Sequence, residues 1–199
     1  MATGIRIHRF VASVFSIGRA SASSGTLTVG RIHDEYADFV WRSLQRLGVR
    51  ESDLEDALQE VFIVVHRKLD TFDGSSRVST WLYGICLRVA SANRNRAHVR
   101  RERPTPEFED SIDNDHANPE AAFATLEERQ RLMDVLDTLA PEKRAVFVMF
   151  EIEGVPAVEI AEILGVPVGT VYSRLSTART EFAEGAKRLQ VRDRFRGER

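Results

Sequence analysis

Apolar residues recur at three- and four-residue spacing along most of this chain, and no stretch alternates apolar with polar, so the pattern predicts an all-α protein. From Ile32 on, Tyr36, Phe39, Val40, Leu44 and Leu47 mark the inner face of a first helix that ends at Gly48. Ser52 with Glu55 three residues later is a capping-box pattern and predicts the start of a second helix. Its buried side is Leu58, Val61, Phe62, Val65 and Leu69; its other side carries Asp56, Gln59, Glu60, His66 and Arg67, read from pattern alone as a solvated polar face. TFDGSSR, residues 71–77, is a loop built around Asp-Gly and two serines. A third helix follows with Trp81, Leu82, Ile85, Val89 and Ala92 apolar, and turns basic through Arg94, Arg96, Arg100, Arg101 and Arg103.

Residues 104–118 interrupt this periodicity. Two prolines, many acids and few apolar residues make them a flexible acidic linker and a domain boundary. Asn118-Pro119 reads as an N-cap followed by an N1 proline, and Leu126, Leu132, Val135, Leu136 and Leu139 mark the inner face of the next helix. Pro141 opens another, EKRAVFVMFEIEG, closed by Gly154. The stretch EIAEILGVPVGTVYSRLSTAR, residues 159–179, then reads as two helices and a very short turn. Ile160, Ala161, Ile163 and Leu164 are apolar at helical spacing, Gly165 suits a positive-φ helix end, and Pro167 cannot continue the first helix. In the second helix Val171 and Leu175 face inward, whereas Thr170, Tyr172, Ser173, Arg174, Thr177 and Arg179 face outward. A tight helix-turn-helix whose second helix is polar and basic outside has the shape that enters a DNA major groove. The expected architecture is therefore two small helical bundles joined by the acidic linker, with a basic, frayed tail at the end.

Charge sharpens this reading. The net charge of −2 across 199 residues predicts no partner; its distribution is more telling. Residues 77–103 hold seven arginines against Glu102, residues 104–128 hold eight acids and no Lys or Arg, and residues 169–199 hold eight basic side chains against four acidic. Near-neutrality is a cancellation and is compatible with a polyanionic partner. Cys86 is the only cysteine, which rules out an intrachain disulfide and a cysteine-based zinc site and reads as a small core residue. The first thirty residues loosely imitate a secretory signal, but their apolar run is short and broken by Ser13 and Ser16, so they read as a disordered extension. The five histidines are scattered, with no nucleophile–base pair, phosphate loop or metal-ligand spacing, which argues against an enzyme; no cofactor is expected. A stand-alone helix-turn-helix regulator that binds duplex DNA remains an alternative on these grounds.

The two halves together are more specific. DALQEVFIVVHRKLDTFDGSSRVSTWLYGI, residues 56–85, resembles the second conserved region of RNA polymerase sigma factors of the extracytoplasmic-function (ECF) type. LAPEKRAVFVMFEIEGVPAVEIAEILGVPVGTVYSRLSTAR, residues 139–179, resembles their fourth, and a solitary helix-turn-helix regulator has no reason to carry the upstream block. The resemblance implies a non-enzymatic promoter-specificity subunit with residues 1–30 as an extension, 31–103 as region 2, 104–118 as linker, 119–190 as region 4 and 191–199 as a basic tail. It implies that Asp56, Gln59, Glu60, Phe62, His66 and Leu69 dock on the β′ clamp helices of core RNA polymerase, in place of the solvated face that pattern alone suggests. It implies that Ser75, Ser76, Arg77, Ser79, Thr80, Trp81, Arg88, Arg94 and Arg96 bind the minus-ten element and hold a flipped base. Thr170, Tyr172, Ser173, Arg174, Thr177 and Arg179 would read the minus-thirty-five element as duplex. Arg88 departs from the asparagine many members carry nearby, and Ser176-Thr177 stands where bulkier or more basic residues are frequent. The implied partners are core polymerase (clamp helices and β flap), promoter DNA and an anti-sigma factor; the implied location is cytoplasmic, on the nucleoid when active and near the membrane when held by the anti-sigma factor.

Overall fold

The computed structural model describes residues 27–101 and 119–197, with side chains placed for 27–96 and 126–192; the acidic linker and the first twenty-six residues lie outside the described residues. The described chain is all-α, with seven α-helices and no strand among the described residues: α1 Val29–Arg46, α2 Leu54–Lys68, α3 Val78–Arg101, α4 Pro119–Leu136, α5 Pro141–Phe147, α6 Ala157–Leu164 and α7 Val168–Gly197. They form two compact units, α1–α3 and α4–α7.

In the first unit Thr28 caps α1 by accepting the Arg31 N–H at 3.3 Å. The helix closes with Gly48 N–H on the Gln45 carbonyl and Val49 N–H on the Leu44 carbonyl, a Schellman arrangement that also buries Val49 and Leu44. The expected capping box of α2 does not form. Ser52 sits in a 3₁₀ turn, Glu51–Asp53, that runs directly into α2, and the Leu54 N–H bonds the Glu51 carbonyl, so backbone satisfies a donor that the side chain was expected to take. The core of this unit is Ile32, Val40, Leu44, Leu54, Ala57, Val61, Val65, Leu82, Tyr83, Ile85, Cys86 and Val89. Residues 82–86 of α3 are buried without interruption because α1 and α2 both pack on that helix. Its apolar stripe is accordingly wider than the pattern indicated at this level, while Ala92, expected on the stripe, is exposed.

In the second unit α4 packs on α7, and Leu132, Val135 and Leu136 near its end, with Leu139 in the turn after it, are buried. Leu126, expected on that inner face, lies ahead of the contact and is exposed. The helix opening at Pro141 does not run uniformly to Gly154: α5 gives way to a π-helical turn, Val148–Ile152, whose wider spacing leaves Val148, Met149, Glu151 and Ile152 all buried. The tail expected to fray continues instead as helix to Gly197, and Arg192 reaches Asp134 of α4 at 3.4 Å.

Candidate nucleic-acid and polymerase surfaces

Three surfaces gather the sequence-predicted residues. On the outer face of α2, Asp56, Gln59 and His66 are exposed and Glu60, Phe62 and Leu69 are half-buried. Between them lies a shallow groove lined by Val29, Gln59, Phe62, Ile63, His66 and Arg67. The His33 ring packs on Phe62 with centroids 4.7 Å apart. Ile63, absent from the sequence-predicted set, is 51% exposed in the middle of this strip. A signal existed: residues 61–65 are an unbroken apolar run, more than one helix face can bury. The result is a strip with an apolar centre and an acidic end, and that combination is the anatomy of a protein-docking patch.

The second surface is the loop into α3. Asp73 accepts the Ser75 N–H at 2.9 Å, an Asx turn, and hydrogen bonds from the Ser75 hydroxyl and amide hold its carboxyl below the usual carboxylate range. Phe72 lies against Trp81 with ring centroids 5.0 Å apart and planes at 41°. Ser75, Arg77 and Arg88 are exposed, and Ser76, Ser79 and Trp81 are half-exposed. Three of the expected minus-ten residues stand differently. Thr80 is buried in the core. Arg94 donates to the Leu47 carbonyl at 2.9 Å, across the C-terminal end of α1, where the free carbonyls attract a cation. Arg96 pairs with Glu60 of α2 at 2.7 Å, and that carboxylate raises its already high pKa further. Tyr83 is a core residue and Cys86 a buried thiol.

The third surface is the helix-turn-helix, α6 to α7. Gly165 adopts φ 63° and ψ 37°, the left-handed conformation the sequence required, and the Val166 N–H closes on the Ala161 carbonyl at 3.0 Å. Val171, Leu175, Ala178 and Phe182 bury one side of α7, and Phe182 stacks on Phe147 of α5 at 4.6 Å. Tyr172, Ser173 and Thr177 are exposed on the outward side, with Thr170 and Arg174 half-exposed; Ser176, also exposed, belongs to the same face. The hydroxyls of Ser173 and Thr177 donate to the carbonyls of Thr170 and Ser173, both at 3.0 Å, so they present lone pairs outward. Arg179 is engaged: its guanidinium pairs with the buried carboxylate of Glu151 at 2.5 Å. Among the described residues no group of three or more His, Cys, Asp or Glu is placed to hold a metal ion, and no helix is long and apolar enough to cross a membrane.

These surfaces can be set beside known proteins. Residues 32–103 match sigma-70 region 2, and residues 123–182 match sigma-70, region 4. The ECF RNA polymerase sigma-E factor of Escherichia coli is 33% identical over 141 residues, covering 66% of this chain and 72% of that protein. The ECF RNA polymerase sigma factor SigE of Mycolicibacterium smegmatis is 34% identical over 151 residues, covering 75% of this chain, and the chain spans 58% of the length of that relative. Among solved structures, the sigma factor RpoE of Bartonella quintana, in complex with its anti-sigma factor NepR, superposes with a TM-score of 0.61 at 20% identity over 79% of this chain and 96% of that one. CnrH, in complex with the cytosolic domain of CnrY, superposes with a TM-score of 0.54 at 21% identity over 89% of this chain and 94% of that one, so the fold is shared as well as the sequence. With region 2 and region 4 matched in order and more than two thirds of the E. coli factor covered at 33% identity, the chain belongs to the ECF sigma factors of RNA polymerase.

Proposed function

We propose that the chain directs transcription initiation by docking on core RNA polymerase through the outer face of α2 and opening promoter DNA with the loop and helix that follow. The observation that carries the reading is the strip of exposed Ile63 and half-buried Phe62 beside Asp56 and Glu60, on the same compact unit as the aromatic pair of Phe72 and Trp81. In this reading α2 supplies the polymerase contact: Phe62 and Ile63 as apolar anchors, Asp56, Gln59, Glu60 and His66 as the polar rim against the β′ clamp helices, and Leu69 at its lower edge. Trp81 with Phe72 offers a ring face to an unstacked minus-ten base, Ser75, Ser76 and Ser79 offer hydroxyls to its edge, and Arg77 and Arg88 grip the backbone of the displaced strand. Unstacking costs a few kcal/mol, and base–aromatic stacking at about 1–3 kcal/mol per base offsets it.

The second unit reads the minus-thirty-five element as duplex, with α7 in the major groove: Tyr172, Ser173 and Thr177 toward base edges and thymine methyls, Arg174 and Thr170 toward phosphates or a guanine. The chain performs no covalent chemistry; the polymerase does. It works in the cytoplasm, joins the nucleoid when bound to polymerase, and is held inactive by an anti-sigma factor, as the superposed RpoE was solved with a partner of that kind. The test is run-off transcription with bacterial core polymerase on DNA from upstream of the chain's own coding region. A specific transcript is expected, lost when Asp56 and Glu60 are both reversed to lysine. Failure to bind core polymerase together with firm binding to duplex DNA alone would overturn the reading in favour of a stand-alone regulator.

A further inference from the structure

Arg179 shares a helix with the outward residues Tyr172, Ser173, Ser176 and Thr177 but is held by the protein. Its Nε and Nη2 both donate to Oε1 of Glu151, at 2.6 and 2.5 Å, and its guanidinium carbon lies 5.4 Å from the centre of the Phe150 ring. The Glu151 side chain is 3% exposed, and it reaches that position from within the π-helical turn Val148–Ile152. Lys143 to Glu181 at 2.5 Å and the Phe147–Phe182 stack add two more ties between the α5 segment and α7. All of them clasp α7 in the turns just beyond its outward face. A buried polar group stripped of its partner is costly, so Arg179 cannot leave for a DNA phosphate without stranding the Glu151 side chain.

We propose that Glu151 and Arg179 are positioning residues for DNA reading: the pair fixes the rotation and tilt of α7 against the α5 segment, and Arg179 does not itself contact DNA. The inference rests on the reading of α7 as the minus-thirty-five helix and changes the role of one residue in it. Recognition by short side chains such as Ser173 and Thr177 tolerates little misplacement, on the order of 0.5 Å, which is why a rigid tie behind the reading face matters to specificity.

The experiment uses holoenzyme reconstituted from the full chain and bacterial core polymerase. Its probes are a promoter duplex selected by the wild-type holoenzyme from a randomised library and the same duplex with the upstream element scrambled. The readout is the affinity ratio between the two, together with its dependence on salt, at a temperature where circular dichroism shows each variant folded. Glu151→Gln and Arg179→Gln are each expected to lower the ratio about three- to ten-fold, and the double variant to lower it no further than the worse single one, as for two members of one network. Arg179→Lys, which keeps the charge and loses the paired donors, is expected to fall between; it carries the test alone if the other variants do not fold. The slope of log affinity against log salt should not change. If Arg179→Gln lowers that slope by about one while Glu151→Gln is harmless, Arg179 is a phosphate contact and the proposal falls. Lower melting temperatures with unchanged ratios would make the pair merely structural and also overturn it. If wild type itself shows no preference for the intact upstream element, the reading of α7 falls instead.

Discussion

Trp81 is the residue on which promoter opening depends most in this reading, because it is half-exposed and already braced by Phe72 at 5.0 Å. Replacing it with alanine removes a stacking surface worth about 1–3 kcal/mol per base, so open-complex formation is expected to fall roughly ten-fold or more. Permanganate reactivity of the minus-ten thymines checks this, with polymerase affinity of the variant unchanged. The loop behind it is set by Asp73. Because the folded-state pKa of Asp73 is depressed by the Ser75 hydrogen bonds, the Asx turn is favoured above the ordinary carboxylate pKa and lost as pH falls through the lower folded value. Around neutral pH the loop is therefore insensitive to pH, and at acid pH the Ser75 amide resonance should shift together with protonation of Asp73, a coupling that Asp73→Asn abolishes. The placement of these side chains was only partly legible in the sequence. The loop that holds Ser75 and Ser76 at the surface follows from Asp-Gly and the serines themselves, but the burial of Thr80 and the partners of Arg94, Arg96 and Arg179 could not be read, since a sequence gives a side chain and not its neighbour. The Leu47 carbonyl that Arg94 meets is 47 residues away, and Glu60 is 36 residues from Arg96.

At the scale of elements, local chemistry predicted what local chemistry controls. The Gly165 turn formed as read because a left-handed glycine ahead of Val-Pro is fixed by the residues themselves. The π-helical turn was invisible, since VMFEI continues the helical pattern and no residue in it marks the wider spacing. The helical tail was likewise missed, because its partner, Asp134, belongs to another helix. Gly185, ahead of that tail on α7, packs tightly against the end of α4 and the turn after it: a Cβ there would meet Val135 Cγ1 at 3.1 Å and Thr138 Oγ1 at 3.2 Å. Alanine would gain about 1 kcal/mol of helix propensity but press on both neighbours, so the two effects nearly cancel. Gly185→Val adds bulk without that gain and should cost about 1–3 kcal/mol, read as a lower melting temperature of the second unit. On α2, by contrast, Ile63→Asp touches a side chain already 51% exposed, so folding should hold while polymerase affinity drops about ten-fold or more, as for a buried anchor in an interface. A pull-down beside a thermal melt separates the two effects.

For the whole molecule the balance of charge matters more than its total. Two basic blocks that would bind any DNA share a chain with residues 104–128, which carry eight acids and no Lys or Arg, and the sum is −2. Non-specific DNA binding rises with the number of phosphates a protein neutralises and falls steeply with salt, so an acidic block tethered beside basic ones competes with every phosphate they could reach. Such competition is indifferent to sequence, whereas in the proposed reading docking on polymerase adds contacts beyond those to phosphate. The free chain should therefore bind DNA weakly and the holoenzyme tightly, without any change of fold in either unit. Neutralising Glu107, Glu109, Asp110, Asp113 and Asp115 with their amide counterparts should raise the affinity of the free chain for random duplex DNA by ten-fold or more at low salt, an effect that shrinks as salt screens the charges. Specific transcription by the holoenzyme should change much less. Fluorescence anisotropy of a random-sequence duplex across a salt series measures the first quantity and run-off transcription the second. An equal rise in both would mean that the acids oppose DNA in the assembled complex too, and that the free chain's restraint lies elsewhere.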